Sequence, residues 1–158
     1  MGFQNLARFF KEQLTASSPE EQTLDHDHRL RLATASVLLE TAYADDSFSL
    51  KEREGLVAYL SERFALTDDD ASDLVETAEE HRQSTIDHFA MTNVLRQNMP
   101  LPDRVEIVKE MWRLVYRDGQ LHNHENYLVR KLANLLGLEH HVMIDAKLEV
   151  QKEKSAES

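Results

Sequence analysis

The sequence contains no cysteine, which excludes disulfides, thiolate nucleophiles and Cys-type zinc sites together. Glycine and proline are scarce, four and three in 158 residues. So few breakers, with abundant Ala, Leu, Glu and Arg, point to an all-α protein of single-domain size. No apolar run approaches about 18 residues, so no helix is expected to span a membrane. Basic residues are in deficit, 18 against 29 acids, for a net charge of −11. No Lys/Arg-rich run supplies a face for nucleic acid. Glycine-rich phosphate loops, nucleophile elbows and the HExxH zinc signature are all missing, which argues against an enzyme. The opening "MGFQNLARFFKEQL" lacks the long apolar segment and cleavage site of a secretory signal. Leu6 stands where a myristoylation motif needs Ser or Thr. A cytoplasmic location is the expectation.

What is present is helical periodicity. Phe3, Leu6, Phe10 and Leu14 give residues 3–14 the spacing of a short amphipathic helix. With Arg8 and Lys11, that segment offers a weak membrane-surface contact, although docking onto protein fits an acidic chain better. Residues 1–23 therefore read as an amphipathic helix plus polar linker, 24–150 as the helical domain, and 151–158 as a frayed tail. Within the linker, Ser18-Pro19-Glu20-Glu21 resembles a helix start. The helix from about Leu24 to Ala44 is apolar nearly all round from Leu32 onward, so it is expected at the centre. Further helices are expected at about 50–65, from Thr67 as N-cap to about Arg82, on to Asn98, from Pro102 to 117, from the 120s to Gly137, and from 139 or 140.

The chain also repeats itself. "YADDSFSLKERE", beginning at Tyr43, recurs in altered form as "YRDGQLHNHENY", beginning at Tyr116. Tyr43, Asp45, Phe48 and Glu52 correspond to Tyr116, Asp118, Leu121 and Glu125 at an offset of 73. Leu56, Val57, Leu60, Phe64 and Leu66 correspond to Leu128, Val129, Leu132, Leu136 and Leu138 at an offset of 72. Glu52 precedes Leu56 by four residues and Glu125 precedes Leu128 by three. Either spacing keeps the Glu on the apolar face of its helix. Each unit is thus an apolar helix, an Asp-bearing loop and an amphipathic helix that opens with an inward-leaning Glu.

These two loops resemble the paired ADG-x5-E signatures of the TerB-like family, named for a tellurite-resistance protein. Asp46 replaces the usual Gly in the first, and Arg117 the usual Ala in the second. The resemblance covers about Leu32 to Leu138. It implies an all-α, antiparallel bundle of about seven to eight helices with pseudo-twofold duplication, and a link to metal or oxyanion stress.

Two readings of the loop acids follow. In one, Asp45, Glu52, Asp118 and Glu125 are oxygen ligands for a divalent cation (Ca²⁺, Mg²⁺ or Mn²⁺, with Zn²⁺ a poorer match), and Asp46, His122 and His124 are weaker candidates. In the other, Ser49-Leu50-Lys51-Glu52 is a capping box, Asn123 caps the second copy, and the Asp residues only close turns. Capping is the commoner use of such residues. The loops are not EF-hands, which carry alternating acids and a Glu at position 12. The histidines of "DHDH", His26 and His28, and the pair His140-His141 read as exposed histidines rather than ligands. Tyr43 and Tyr116 read as packing residues with a hydroxyl at a helix end. The expectation is a non-enzymatic binding or scaffold module for another protein, with a second copy of the chain admitted as that partner. A protein-interaction module with capping acids alone, or a small metal-dependent enzyme, are the alternatives.

Overall fold

Eight consecutive residues, Leu32 to Leu39, are all buried on one helix, and the fold is organised around them. The computed structural model describes residues 19–45, 48–82, 88–116 and 123–157. They form seven α-helices: α1 (Pro19–Ala42), α2 (Leu50–Phe64), α3 (Asp68–Arg82), α4 (His88–Asn98), α5 (Leu101–Val115), α6 (Asn123–Leu135) and α7 (His140–Glu157). A 3₁₀ turn, Tyr43–Asp45, follows α1. No strand occurs among the described residues, in agreement with the all-α expectation.

Helix α1 packs against α2, α3, α4, α5 and α6, which explains why its apolar residues wind around the whole circumference. Two of its buried hydroxyls bond within the helix: Thr34 Oγ1 donates to the Leu30 carbonyl (2.7 Å) and Thr41 Oγ1 to that of Val37 (3.0 Å). Helix α5 supplies the other half of the core through Ile107, Met111 and Trp112, each fully buried. Helix α7 packs along α5 and α6 along α4.

Local chemistry sets most boundaries. Ser49 and Thr67 accept from the N–H groups of Glu52 and Asp70, both at 3.1 Å, as N-caps. Pro102 sits in the first turn of α5, where its missing N–H costs nothing. Helices α2 and α6 end alike. Ala65 (φ 53°) and Gly137 (φ 83°) take the left-handed conformation. The N–H groups of Leu66 and Leu138 then return to the carbonyls of Ser61 (2.9 Å) and Ala133 (3.1 Å). The gaps between α1 and α2 and between α5 and α6 span residues 43–49 and 116–122, the same offset of 73 as the sequence motifs.

Two boundaries differ from the sequence expectations. Helix α1 begins at Pro19 rather than near Leu24, so the Ser-Pro-Glu-Glu signal dominates the polar composition after it. The "DHDH" histidines therefore lie on a helix, with His26 Nδ1 3.1 Å from Arg29 Nη2. Helix α7 runs to Glu157, past residue 150, because Arg113 of α5 forks onto Glu153 at 2.9 and 3.0 Å. The amphipathic helix expected at 3–14 and the caps expected at Ser84 or Thr85 lie outside the described residues.

Candidate functional site

The first loop is anchored from outside itself. Tyr43, just past the end of α1, packs its ring against Phe48 (centroids 5.1 Å apart). The Arg82 guanidinium lies over the same ring, 3.9 Å from its centroid. Arg82 in turn pairs with Glu40 at 3.3 Å, and His88 Nε2 lies 3.8 Å from the same carboxylate. Four residues from α1, the turn, α3 and α4 thus clamp the point where the chain leaves α1. Tyr43 acts here as a packing residue, as its sequence position suggests.

Downstream, the capping box is made with one variation. The Ser49 hydroxyl accepts from the Glu52 N–H and donates to Glu52 Oε1, both at 3.1 Å. The Glu52 carboxylate is therefore held at the mouth of α2, where it also favours the helix dipole.

In the second loop Tyr116 closes α5, its N–H donating to the Trp112 carbonyl at 3.0 Å. Its hydroxyl accepts from Gln151 Nε2 of α7 at 2.7 Å. Glu125 occupies the first turn of α6 and is only 4% exposed. Among the described residues it is the one buried acid, so the expected inward lean is realised there most fully. Glu52 is half-buried.

The Tyr43–Asp45 turn packs against α6, the helix that begins with Glu125. The backbone of the first loop is thereby brought beside the helix of the second. Asp46, Asp118 and His122 lie outside the described residues, as do the side chains of Asp45 and His124. Among the described side chains, no three His, Asp or Glu cluster as a metal-ligand set. His140 and His141 are exposed, and His141 Nδ1 lies 3.4 Å from Glu139.

Two cavities lie away from these loops. One, about 390 Å³, is lined by Tyr59, Glu62, Arg63, Glu106 and Arg113 between α2 and α5. The Tyr59 hydroxyl there is buried with no hydrogen-bond partner among the described residues. Burial, reinforced by the Glu110 charge, pushes its pKa up to about 12. The other, about 820 Å³, is an open cleft between α6 and α7 lined by Tyr127, Arg130, Lys131 and Asn134 among others. The sequence signal for it was available: these four stand at i, i+3, i+4 and i+7 on the polar face of α6.

A family model described as Tellurite resistance protein TerB matches residues 31–148. No curated protein and no solved structure matches the chain. The matched span begins inside α1 and ends inside α7, so it contains both loops and the helices that carry them.

Proposed function

The chain belongs to the tellurite resistance protein TerB family, and from that premise we propose that it is a non-enzymatic cytoplasmic binding module whose two loops hold a divalent cation. The observation that carries this reading is Glu125. Its carboxylate is buried at the head of α6, and the Tyr43–Asp45 turn packs on the same helix. A chelating carboxylate is effective when the fold fixes it in place before the ion arrives. The proposed ligands are Asp45, Glu52, Asp118 and Glu125. Ca²⁺ takes about six to eight oxygens, so backbone carbonyls and water would complete the set. Mg²⁺ and Mn²⁺ suit the same hard donors, and Zn²⁺ would draw on His122 or His124. An association with metal or oxyanion stress is taken from the family's name alone.

A specific observation favours a second reading. The Ser49 hydroxyl already engages Glu52 twice, and a Glu committed to a cap needs no ion. The module would then bind protein partners with its loop acids serving only as caps. Calorimetric titration of chelator-stripped protein with Ca²⁺, Mg²⁺, Mn²⁺ and Zn²⁺ separates the two. Saturable heats that vanish in the Asp45→Asn/Asp118→Asn double variant support the cation site. Heats that persist unchanged in that variant, or no heats at all, leave the capping module.

A further inference from the structure

Helix α6 has two faces of opposite kind. Val129, Leu132, Ala133 and Leu136 are buried, while Tyr127, Arg130, Lys131 and Asn134 point the other way and are exposed. Tyr127 is 69% exposed, as open to solvent as Leu50 and Phe89 among the described residues. These side chains form one wall of the cleft of about 820 Å³, with Leu138, His140 and Met143 opposite. Leu138 and Met143 are nearly buried and make an apolar floor.

Among the described residues, the lining of this cleft carries basic side chains and no acid, although the chain as a whole is acidic. Several cations elsewhere are matched to acids: Arg53 to Glu79, Arg63 to Asp103, Arg82 to Glu40, Lys109 to Glu149, and Arg113 to Glu153. Arg130, Lys131 and His140 have no ion-pair partner among the described residues. The acid nearest in sequence to Arg130 and Lys131, Glu125, is buried at the head of α6, and Glu139 lies beside His141. Lys147 adds its ammonium at the rim, 3.4 Å from Asn126 Oδ1. A chain of net charge −11 thus keeps a small unneutralised cationic patch around an exposed aromatic ring.

We propose that the α6–α7 cleft docks an acidic segment of a partner protein, with Arg130 and Lys131 receiving its carboxylates and Tyr127 covering an apolar side chain between them. Charge complementarity selects this occupant. A nucleic acid would extend beyond the patch onto an acidic surface. An anionic membrane needs about four to eight clustered cations. A small ligand would be poorly enclosed, because Tyr127, Arg130, Lys131 and His140 are all open to solvent. Repulsion from the distant acids is screened beyond about 8 Å at physiological salt, so the local cations decide. A helix laid along the cleft would present carboxylates one turn apart to Arg130 and Lys131. This specifies the partner of the binding module proposed above and does not depend on the cation.

The test is fluorescence polarisation with the full chain in EDTA, which keeps its outcome separate from that of the metal titration. The probe is a labelled helical peptide carrying two Glu one turn apart on either side of a Leu, against the same peptide with both Glu replaced by Gln. Saturable binding is expected for the Glu peptide and roughly tenfold weaker binding for the Gln peptide. Arg130→Glu/Lys131→Glu should abolish binding, and the milder Arg130→Gln/Lys131→Gln should weaken it by about tenfold. Lys152→Glu, about 18 Å further along α7 than His140, should leave it unchanged. The proposal is overturned if both peptides bind equally, if the cleft variants bind like the parent, or if the Glu peptide does not saturate by about 1 mM. It is also overturned if the parent is a dimer that Arg130→Gln/Lys131→Gln dissociates, because a second copy then fills the cleft.

Discussion

The guanidinium of Arg82 lies 3.9 Å from the centre of the Tyr43 ring, tying the end of α3 to the residue that opens the first loop. Glu40 holds the same guanidinium at 3.3 Å. Arg82→Met keeps an apolar side chain but loses the charge, and is expected to cost about 1 kcal/mol in urea denaturation. Tyr43→Leu removes the ring from the other side. The double variant should be less destabilised than the two single effects added, by about 0.5–1 kcal/mol. Strict additivity would show that the stacking contributes nothing.

The two left-handed helix ends make a mirrored pair of tests. Ala65 holds φ 53°, a conformation that costs a residue with a Cβ about 1–2 kcal/mol. Ala65→Gly removes that cost but adds chain entropy to the unfolded state, for a net gain of about 0.5–1 kcal/mol. Gly137→Ala should move stability the other way by about 2 kcal/mol or more. Its Cβ would lie 2.8 Å from Arg104 Nη1 and 3.1 Å from Arg96 Nε. Arg104 Nη1 donates to the Leu136 carbonyl, so that bond must shift to admit a methyl group. Urea denaturation of both variants gives the two signs directly.

Features built from neighbours in sequence were legible before the fold was known. Ser49, Thr67 and Gly137 bound their helices through bonds spanning a few residues, and each reads from its own segment. The spacing of Glu125 to the apolar stripe places it inward, and it is buried. The contacts that hold the site were not legible, because their partners are remote. Arg82 meets Tyr43 from the end of α3, Arg104 reaches Leu136, and Arg113 extends α7 through Glu153. A Lys- and Glu-rich tail reads as frayed until the arginine that gathers it is located on another helix. The α6–α7 cleft escaped for a related reason: apolar periodicity points to the core, and the exposed face of α6 carries the unneutralised charge.

The Ser49–Glu52 pair separates capping from ligation. Ser49→Ala removes the acceptor of the Glu52 N–H and is expected to cost about 1 kcal/mol with or without metal. Glu52→Gln retains an oxygen for the Ser49 hydroxyl, so its cost in chelator should be only a few tenths of a kcal/mol. Thermal unfolding in EDTA and in excess Ca²⁺ is the measurement. If Glu52 is a ligand, Ca²⁺ raises the parent Tm and raises that of Glu52→Gln less. Equal Ca²⁺ responses in the two proteins would remove Glu52 from the ligand set.

Tyr59 gives a pH dependence with a definite sign. Its hydroxyl is buried without a hydrogen-bond partner among the described residues, and burial raises its pKa from 10.0 to about 12. Between those values the unfolded chain has released the phenol proton and the folded chain still holds it. The unfolded state then binds fewer protons, so stability falls as pH rises through this window. Below pH 10 both states keep the proton and Tyr59 contributes no slope. Tyr59→Phe removes the titration and a buried polar atom together. At pH 7 it is expected to be neutral or stabilising by up to about 1 kcal/mol. Denaturation midpoints measured from pH 9 to 11 should decline less steeply in Tyr59→Phe than in the parent. Parallel declines would mean that the phenol is hydrated in the folded protein and ionises as it does in the unfolded chain.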